Sequence, residues 1–184
     1  MPIRGKRALI IGLGGIGLLL AERLSAFGMT VDGVTETNVP LVSYLNNVYF
    51  GDQLIEALPE ADVVIMAAPL TVRTKNILGR QEFLAMKKNS YLINVSRGGT
   101  IDLEAIVNEL YNGRFAAVGL DVTNPEPLPS NHPIRQFERV IITPHVAGTS
   151  DNLRARNFEL ITANIRRFML GYTLINEVDK RNGF

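Results

Sequence analysis

The stretch ALIIGLGGIGLLLAERLSAFG, residues 8–28, decides the fold. Ala8–Ile11 is a short apolar run of strand length, and Ile16–Phe27 has the apolar spacing of a helix that Gly28 ends as a C-cap. Between them stands GLGGIG at residues 12–17, a G-x-G-x-x-G loop. A strand, a glycine loop and a helix in this order predict the first turn of a βαβ unit.

The three glycines of this motif are suited to a dinucleotide. Gly12 permits a tight turn, Gly14 lets a pyrophosphate approach the backbone, and Gly17 lets the helix pack close to the strand. The helix N-terminus would present free N–H groups and a partial positive charge to the phosphates. The alternative is a tight glycine turn that binds nothing. Because G-K-[ST] does not follow the loop, the motif argues against a mononucleotide P-loop.

Short apolar runs alternate with helical periodicity along the rest of the chain. We predict strands at Thr30–Val34, Val63–Ala68, Tyr91–Val95, Ala117–Asp121 and Val140–Thr143, and helices at Gln53–Leu58, Arg80–Lys88, Leu103–Asn112 and Asn152–Leu170. The stretch 35–47 is ambiguous because Pro40 blocks a long helix, and Thr123–Pro133 holds four prolines and cannot be regular. The alternation predicts the α/β class, with a doubly wound parallel sheet (a Rossmann fold) in a single nucleotide-binding domain.

The composition excludes several classes of function. The chain has 184 residues, a formal net charge of +1, two His and no Cys. Without Cys there are no disulfides, thiolate metal sites or cysteine nucleophiles, and two His are too few for a histidine metal site, so we predict no metal. We find neither a basic run typical of nucleic-acid binding nor an apolar run of the roughly 18 residues that a membrane span needs. A chain without Cys fits a reducing cytoplasm.

The end of the second predicted strand should contact the adenosine ribose, about 20 residues after the glycine loop. Thr35 stands where an acidic residue is usual, and Glu36 follows it. No Arg lies nearby in the sequence to receive a 2′-phosphate, which favours NAD over NADP. Thr35 would repel that phosphate less than Asp would, so NADP stays open.

Three later loops each follow a predicted strand and carry one polar residue, namely Arg97, Glu126 and His145. The carboxyl ends of parallel strands share one edge of the sheet, so these residues should converge beside the glycine loop. Reducing a 2-oxo acid needs a cation for its carboxylate, and Arg97 offers a planar fork. His145 can move a proton near neutral pH, and Glu126 would favour the protonated imidazole and orient it. Taken singly, a surface Arg and a structural His are the alternatives.

The chain resembles the nucleotide-binding domain of the D-isomer-specific 2-hydroxyacid dehydrogenase family, which includes phosphoglycerate, glyoxylate/hydroxypyruvate and formate dehydrogenases. The stretches that carry the resemblance are GLGGIG at 12–17, ADVVIMAAPLT at 61–71, LINVSRGGTID at 92–102, GLDVTNPEPLP at 119–129 and VIITPHVAG at 140–148. These stretches are spread over nearly the whole chain, and the last three together are highly specific.

The resemblance implies an oxidoreductase that transfers a hydride between NAD(P)H and a 2-oxo acid or D-2-hydroxy acid. In it, Arg97 would bind the substrate carboxylate, His145 would be the acid/base, and Glu126 would be its partner. The implied cofactor contacts are Gly12, Gly14, Gly15, Ile16, Gly17, Thr35, Ala68, Pro69, Thr74, Val95, Ser96, Arg97, Asp121, His145, Ala147 and Gly148. A homodimer is also implied, and His132 is interpreted as structural.

Members of this family are about twice as long, in the usual two-domain range, and build their substrate domain mostly from the segment before the nucleotide domain. Because the glycine loop begins at residue 12, we expect an N-terminally truncated chain. Residues 1–171 would then be the dinucleotide-binding domain, and residues 172–184 a tail that packs on the missing domain. Such a polypeptide should bind NAD(H) and turn over weakly. The alternative is a non-catalytic dinucleotide-binding or dimerisation module, and the sequence does not identify the 2-hydroxy acid.

Overall fold

The computed structural model describes residues 2–180, and its contacts divide the chain into two units, residues 1–145 and 146–184. The final helix falls in the second unit, and the domain boundary after residue 171 stays a prediction. Residues 181–184 of the predicted tail lie outside the described residues.

The first unit contains a seven-stranded sheet. Its strands are β1 (Arg7–Ile11), β2 (Thr30–Thr35), β3 (Asn47–Phe50), β4 (Val63–Met66), β5 (Ser90–Asn94), β6 (Phe115–Leu120) and β7 (Val140–Ile142). Every pairing is parallel, in the order β3-β2-β1-β4-β5-β6-β7. This is the strand order of a doubly wound Rossmann sheet with one further strand, so the predicted fold class is confirmed.

Four helices connect these strands, and most lie within their predicted bounds. They are α1 (Gly15–Ala26), α2 (Leu54–Ala57), α3 (Arg80–Ala85) and α4 (Leu103–Tyr111). The structure ends α3 earlier than the predicted Arg80–Lys88, because Met86 is extended. Arg114 donates hydrogen bonds to the carbonyl oxygens of Phe83 and Met86, which replace the donors that a further helical turn would supply.

The core lies on both faces of the sheet, which explains why the strands are nearly continuous apolar runs. Successive residues of β1 alternate between the faces: Ala8 and Ile10 join the cluster that contains Ala21 of α1, whereas Leu9 and Ile11 join the larger cluster on the other face. All four are almost fully buried. This burial fixes the position of β1, and therefore of the loop that follows it.

The sequence analysis does not predict the strand β3, and it describes the stretch before this strand, residues 35–47, as ambiguous. This strand is at the edge of the sheet and is mostly exposed, and its apolar run, Val48–Phe50, is only three residues long. A buried polar group pins it instead: Asp32 accepts hydrogen bonds from the side chain of Asn46 and from the N–H of Asn47, at 2.8 and 3.0 Å. Arg7 pairs with the same carboxylate at 2.6 Å.

The second unit contains one helix, α5 (Leu153–Met169), followed by Gly171 at a φ of +72°. The chain after Gly171 returns along the helix, since Asn164 exchanges two hydrogen bonds with the backbone of Ile175 at 2.8 and 3.0 Å. Over residues 2–180, the structure contains no helix with the length and apolar character that a membrane crossing requires.

Candidate active site

Two glycines of the loop after β1 are required by the protein's own packing. Gly12 has a φ of +101°, and a Cβ there would lie 2.4 Å from the backbone nitrogen of Ala68, in the loop after β4. A Cβ on Gly17 would lie 1.9 Å from the carbonyl oxygen of Gly12. Both positions therefore need glycine for the turn and for the close approach of α1 to the sheet.

Gly14 and Gly15 differ, because a Cβ at either position would meet no protein atom within 4 Å. Gly14 also has a φ of −78°, which any residue can adopt. Its lack of a side chain leaves open space directly in front of the N-terminus of α1. No side chain caps that terminus and its first turn holds no acidic residue. The cradle fits the pyrophosphate of a dinucleotide, which would accept hydrogen bonds from the uncapped N–H groups.

The predicted adenosine contacts flank this loop on its two sides. Thr35 ends β2, is buried, and donates a hydrogen bond to the carbonyl oxygen of Thr37 at 3.0 Å. Beyond β4, Ala68 and Pro69 begin a turn that the buried Thr74 closes, because its hydroxyl donates to the carbonyl oxygen of Pro69. The adenosine side of the site therefore has an ordered backbone on both flanks.

The expectation that no Arg is available near Thr35 is wrong in three dimensions. The sequence around Thr35 contains no Arg, yet Arg73 Nη1 lies 2.9 Å from Glu36 Oε2. The two residues are 37 positions apart, and the fold brings them together because β2 and β4 both neighbour β1. A guanidinium is therefore present beside the position that should discriminate between NAD and NADP.

The turn after β5 carries Arg97, and a buried amide holds that turn. The side chain of Asn94 accepts hydrogen bonds from the N–H and hydroxyl of Ser96, both at 3.0 Å, and donates to the carbonyl oxygen of Arg97 at 3.1 Å. Thr100 donates to the same carbonyl oxygen at 2.7 Å. The Arg97 side chain is exposed, and its guanidinium donates to the carbonyl oxygen of Ser96.

Gly98 joins this turn to the loop that carries Glu126. A Cβ on Gly98 would lie 2.0 Å from the carbonyl carbon and oxygen of Thr123, so the two backbones are in direct contact. The N–H of Thr123 in turn faces Glu126 Oε2 at 3.5 Å. Arg97 and Glu126 are therefore carried on loops that touch each other.

The side chains of Glu126 and His145 are in hydrogen-bond contact. Glu126 Oε1 lies 2.7 Å from His145 Nδ1, and both side chains are a little under half exposed. His145 has a φ of +56°, in the left-handed region that a non-glycine residue rarely adopts. Its N–H donates to the carbonyl oxygen of Asp121 at 2.9 Å, which holds that conformation. Backbone strain of this kind concentrates at functional sites.

Asp121, one of the predicted cofactor contacts, is buried directly after β6. Its carboxylate accepts a hydrogen bond from the hydroxyl of Thr143 at 2.5 Å. Both residues, with Glu126 and His145, line a cavity of about 410 Å³. A cavity with both polar and apolar lining residues therefore lies at the ends of β6 and β7.

Strand register accounts for this convergence. Asn94 of β5 pairs with Leu120 of β6, which pairs with Ile142 of β7, so all three strands end at the same level. The segments that follow them begin with Val95, Asp121 and Thr143.

The remaining predicted residues have other surroundings. Ile16, in the first turn of α1, has a mostly exposed side chain. Ala147 and Gly148 belong to the second unit, where the N–H of Thr149 bonds to the carbonyl oxygen of Val146. His132 accepts a hydrogen bond from the N–H of Ile134 and caps a short 3₁₀ helix, which is a structural role. Among residues 2–180, no three His, Asp or Glu side chains are grouped as metal ligands would be.

Sequence reasoning missed the residues that hold the site together, namely Asn94, Gly98, Thr100 and Thr143. A signal existed for two of them. Asn94 is a polar residue within an apolar strand, and Gly98 begins a glycine pair directly after Arg97. Thr100 and Thr143 are ordinary loop residues whose partners are visible only in three dimensions.

Comparison with known proteins shows the family of the chain. Residues 1–147 match the model of the D-isomer specific 2-hydroxyacid dehydrogenase family, NAD binding domain. The chain belongs to this family. It is 36% identical over 170 residues to a glyoxylate reductase of Thermofilum pendens, covering 92% of this chain and 50% of that protein. It is 33% identical over 182 residues to a D-3-phosphoglycerate dehydrogenase of Methanocaldococcus jannaschii, covering 99% of this chain and 34% of that protein.

Solved structures of family members superpose closely on the chain. A D-isomer specific 2-hydroxyacid dehydrogenase of Xanthobacter autotrophicus Py2, in complex with NADPH and MES, gives a TM-score of 0.91 at 30% identity, covering 97% of this chain and 73% of that one. An NADPH-dependent glyoxylate/hydroxypyruvate reductase of Sinorhizobium meliloti, in complex with NADP and sulfate, gives a TM-score of 0.89 at 29% identity. That match covers 97% of this chain and 57% of that one. The chain spans about half the length of the curated glyoxylate reductases that it matches.

Proposed function

We propose that this chain is the dinucleotide-binding part of an oxidoreductase that interconverts a 2-oxo acid and a D-2-hydroxy acid. The observation that supports this most strongly is the contact of 2.7 Å between Glu126 and His145, at the same sheet edge as the glycine loop. An imidazole held by a carboxylate is suited to proton transfer to and from a substrate oxygen.

The cofactor in this proposal is NAD or NADP, whose nicotinamide supplies or accepts the hydride. Gly12, Gly14 and Gly17, with the N–H groups of Gly15 and Ile16, would bind the pyrophosphate. The adenosine half would lie against Thr35, Ala68, Pro69 and Thr74, and the nicotinamide half would contact Val95, Ser96, Arg97, Asp121 and His145.

The substrate-handling groups are Arg97 and His145. The Arg97 guanidinium would leave the carbonyl oxygen of Ser96 and bind the substrate carboxylate in bidentate fashion. As the carbonyl carbon gains its hydride, His145 Nε2 would give a proton to the carbonyl oxygen, so that the product is a neutral hydroxyl. In the reverse direction the neutral imidazole takes that proton back. Glu126, bonded to Nδ1, orients the ring in both directions.

Turnover by the 184-residue polypeptide should be weak. Both His145 and Glu126 are over 40% exposed, so water reaches the groups that move the proton. Efficient hydride transfer needs a cleft from which water is excluded. We therefore expect the polypeptide to bind the dinucleotide even though it turns over substrate slowly.

We also propose that the chain forms a homodimer, which exposed apolar side chains in α1 and directly after it support. Leu19 and Phe27 are each more than half exposed. Sedimentation velocity of the purified polypeptide should give twice the monomer mass, and a monomer at all concentrations would reject this part of the proposal.

The test is a single-turnover experiment with the polypeptide in excess over NADH. Glyoxylate, hydroxypyruvate or pyruvate should oxidise the bound NADH, and the steady-state rate should fall below the typical range of about 1–1,000 per second. The variant His145→Gln should still bind NADH, with a far smaller loss of affinity than of rate, and should lower the single-turnover rate by about 100- to 10,000-fold. NADH that binds but is never oxidised would favour the non-catalytic module, and absence of NADH binding would reject the dinucleotide site.

A further inference from the structure

The ion pair between Glu36 and Arg73 joins the two loops on either side of the glycine loop. Glu36 directly follows β2, and Arg73 lies in the turn that follows β4. Because β2 and β4 are the two neighbours of β1, the pair spans the carboxyl end of β1, where the glycine loop begins. This contact across 37 residues is therefore at the adenosine side of the proposed dinucleotide site.

The two partners differ in how firmly they are held. The Glu36 carboxylate lies against Gly51, where a Cβ would be 1.8 Å from Oε1, and its side chain is 40% exposed. Arg73 has an 80% exposed side chain, and its guanidinium meets Glu36 through Nη1. A guanidinium carries five donors in a planar fork, so most of those of Arg73 face solvent. Arg73 can change partner with little cost to the fold.

We propose that Arg73, neutralised by Glu36, determines which dinucleotide the adenosine side accepts. The inference rests on the proposed function, since it needs a dinucleotide on the glycine loop. In the native chain the Glu36 carboxylate accepts hydrogen bonds from the ribose hydroxyls of NAD and repels a 2′-phosphate. A 2′-phosphate must take Arg73 away from Glu36 before it gains a bidentate partner. NAD is therefore preferred, and loss of the Glu36 carboxylate makes Arg73 a phosphate-binding residue.

The preference should be moderate because of Thr35. An acidic residue at that position would place a second carboxylate against the 2′-phosphate, whereas Thr35 is uncharged and its hydroxyl donates to Thr37. One exposed carboxylate in water interacts weakly with a charge that it does not contact. We expect the native chain to bind NADH about tenfold more tightly than NADPH, which corresponds to about 1.4 kcal/mol.

The test is fluorescence titration of NADH and NADPH into the native polypeptide, Glu36→Gln, Arg73→Gln and the double variant. Glu36→Gln should strengthen NADPH binding about tenfold, and Arg73→Gln added to it should remove the whole gain. Lys75→Gln is the matched control, because it removes one positive charge from the same exposed turn. It should change NADPH affinity by less than about twofold in the Glu36→Gln background.

Each alternative result has a distinct meaning. A gain that survives in the double variant, an equal effect of Lys75→Gln, or a native preference for NADPH overturns this inference and leaves the dinucleotide site standing. Failure of the native polypeptide to bind either dinucleotide overturns the proposed function, and this inference with it.

Discussion

The two ends of the sheet's carboxyl edge are built differently. At the glycine-loop end, backbone atoms set the geometry, since Gly12 and Gly17 leave no room for a Cβ and Gly14 leaves an open cradle. At the β5–β7 end, the groups proposed for chemistry are side chains, and those of Glu126 and His145 are 42% and 45% exposed. The difference teaches that the proposed pyrophosphate cradle is formed by the backbone of the first unit, whereas the groups proposed for chemistry are side chains in contact with water. Binding and turnover should therefore be separable by substitution.

The largest effect on stability is expected at the glycine-loop end. Gly12→Ala forces a Cβ into the backbone of Ala68 at a positive φ, so we expect the free energy of unfolding to fall by about 2–4 kcal/mol. Gly14→Ala meets no atom, so its effect should stay within about 1 kcal/mol. Urea denaturation of the two variants measures the difference. Equal losses at both positions would mean that Gly14 is also fixed by packing, and the contrast between the two glycines would disappear.

A smaller effect is expected at the β5–β7 end, where a buried amide holds the turn of Arg97. Asn94→Ala leaves the N–H and hydroxyl of Ser96 without their acceptor, so we expect a loss of about 1–3 kcal/mol in the free energy of unfolding. The single-turnover rate should also fall, because the carbonyl oxygen of Arg97 loses a donor, and NADH affinity should fall less than the rate does, since Ser96 and Arg97 are only two of the proposed cofactor contacts.

The control for Asn94 is Asn108→Ala, which removes an exposed amide from α4. It should change neither the unfolding free energy beyond about 0.5 kcal/mol nor the rate. If Asn94→Ala weakens NADH binding as strongly as it lowers the rate, the two ends are coupled and our separation of them is wrong.

The sequence predicts the fold well where a buried strand appears in the sequence as an apolar run. The strands β1, β2, β4, β5, β6 and β7 are apolar runs that glycine, proline or polar residues end, so their carboxyl ends could be located within two residues. By contrast, β3 is an exposed edge strand pinned by Asp32 and was missed. Its apolar run, Val48–Phe50, is too short for periodicity to distinguish a strand from a loop.

The candidate site follows the same rule. The residues that follow strand ends were predictable because a parallel sheet brings those ends together, and Glu126 and His145 do meet. The contact between Glu36 and Arg73 was not predictable, since it depends on the path of an exposed turn across 37 residues. The role of Asn94 was also hidden, because its partners are backbone groups that no sequence motif names.

The smallest effect is expected at Asp62, which directly precedes β4 and therefore lies at the amino ends of the strands. Burial alone would raise the pKa of this carboxyl, but hydrogen bonds from Lys87 and from the N–H of Arg7 hold its pKa below the ordinary value. A carboxyl whose pKa is lowered by folding stabilises the folded state above its unfolded pKa of about 3.9 and loses that contribution as the pH falls through the folded value.

Asp62→Asn should therefore lower the free energy of unfolding slightly at pH 7. It should also reduce the loss of stability between about pH 5 and about pH 2, the range around an ordinary carboxyl pKa of about 4. Urea denaturation at each pH measures both effects. NADH affinity should be unchanged, because Asp62 precedes β4 and the glycine loop follows β1 at the other edge. An unchanged pH dependence of stability would show that the ion pair with Lys87 contributes nothing measurable.

The central claim is that a dinucleotide lies over Gly14 at the N-terminus of α1. Fluorescence titration of NADH into the native polypeptide and Gly14→Asp tests it most directly, because the open space at Gly14 lets the variant fold while its carboxylate faces the pyrophosphate. We predict a loss of NADH affinity of at least about a hundredfold, with thermal unfolding of the free polypeptide nearly unchanged. Equal NADH affinity in a folded Gly14→Asp variant would contradict the placement of the cofactor and the function built on it.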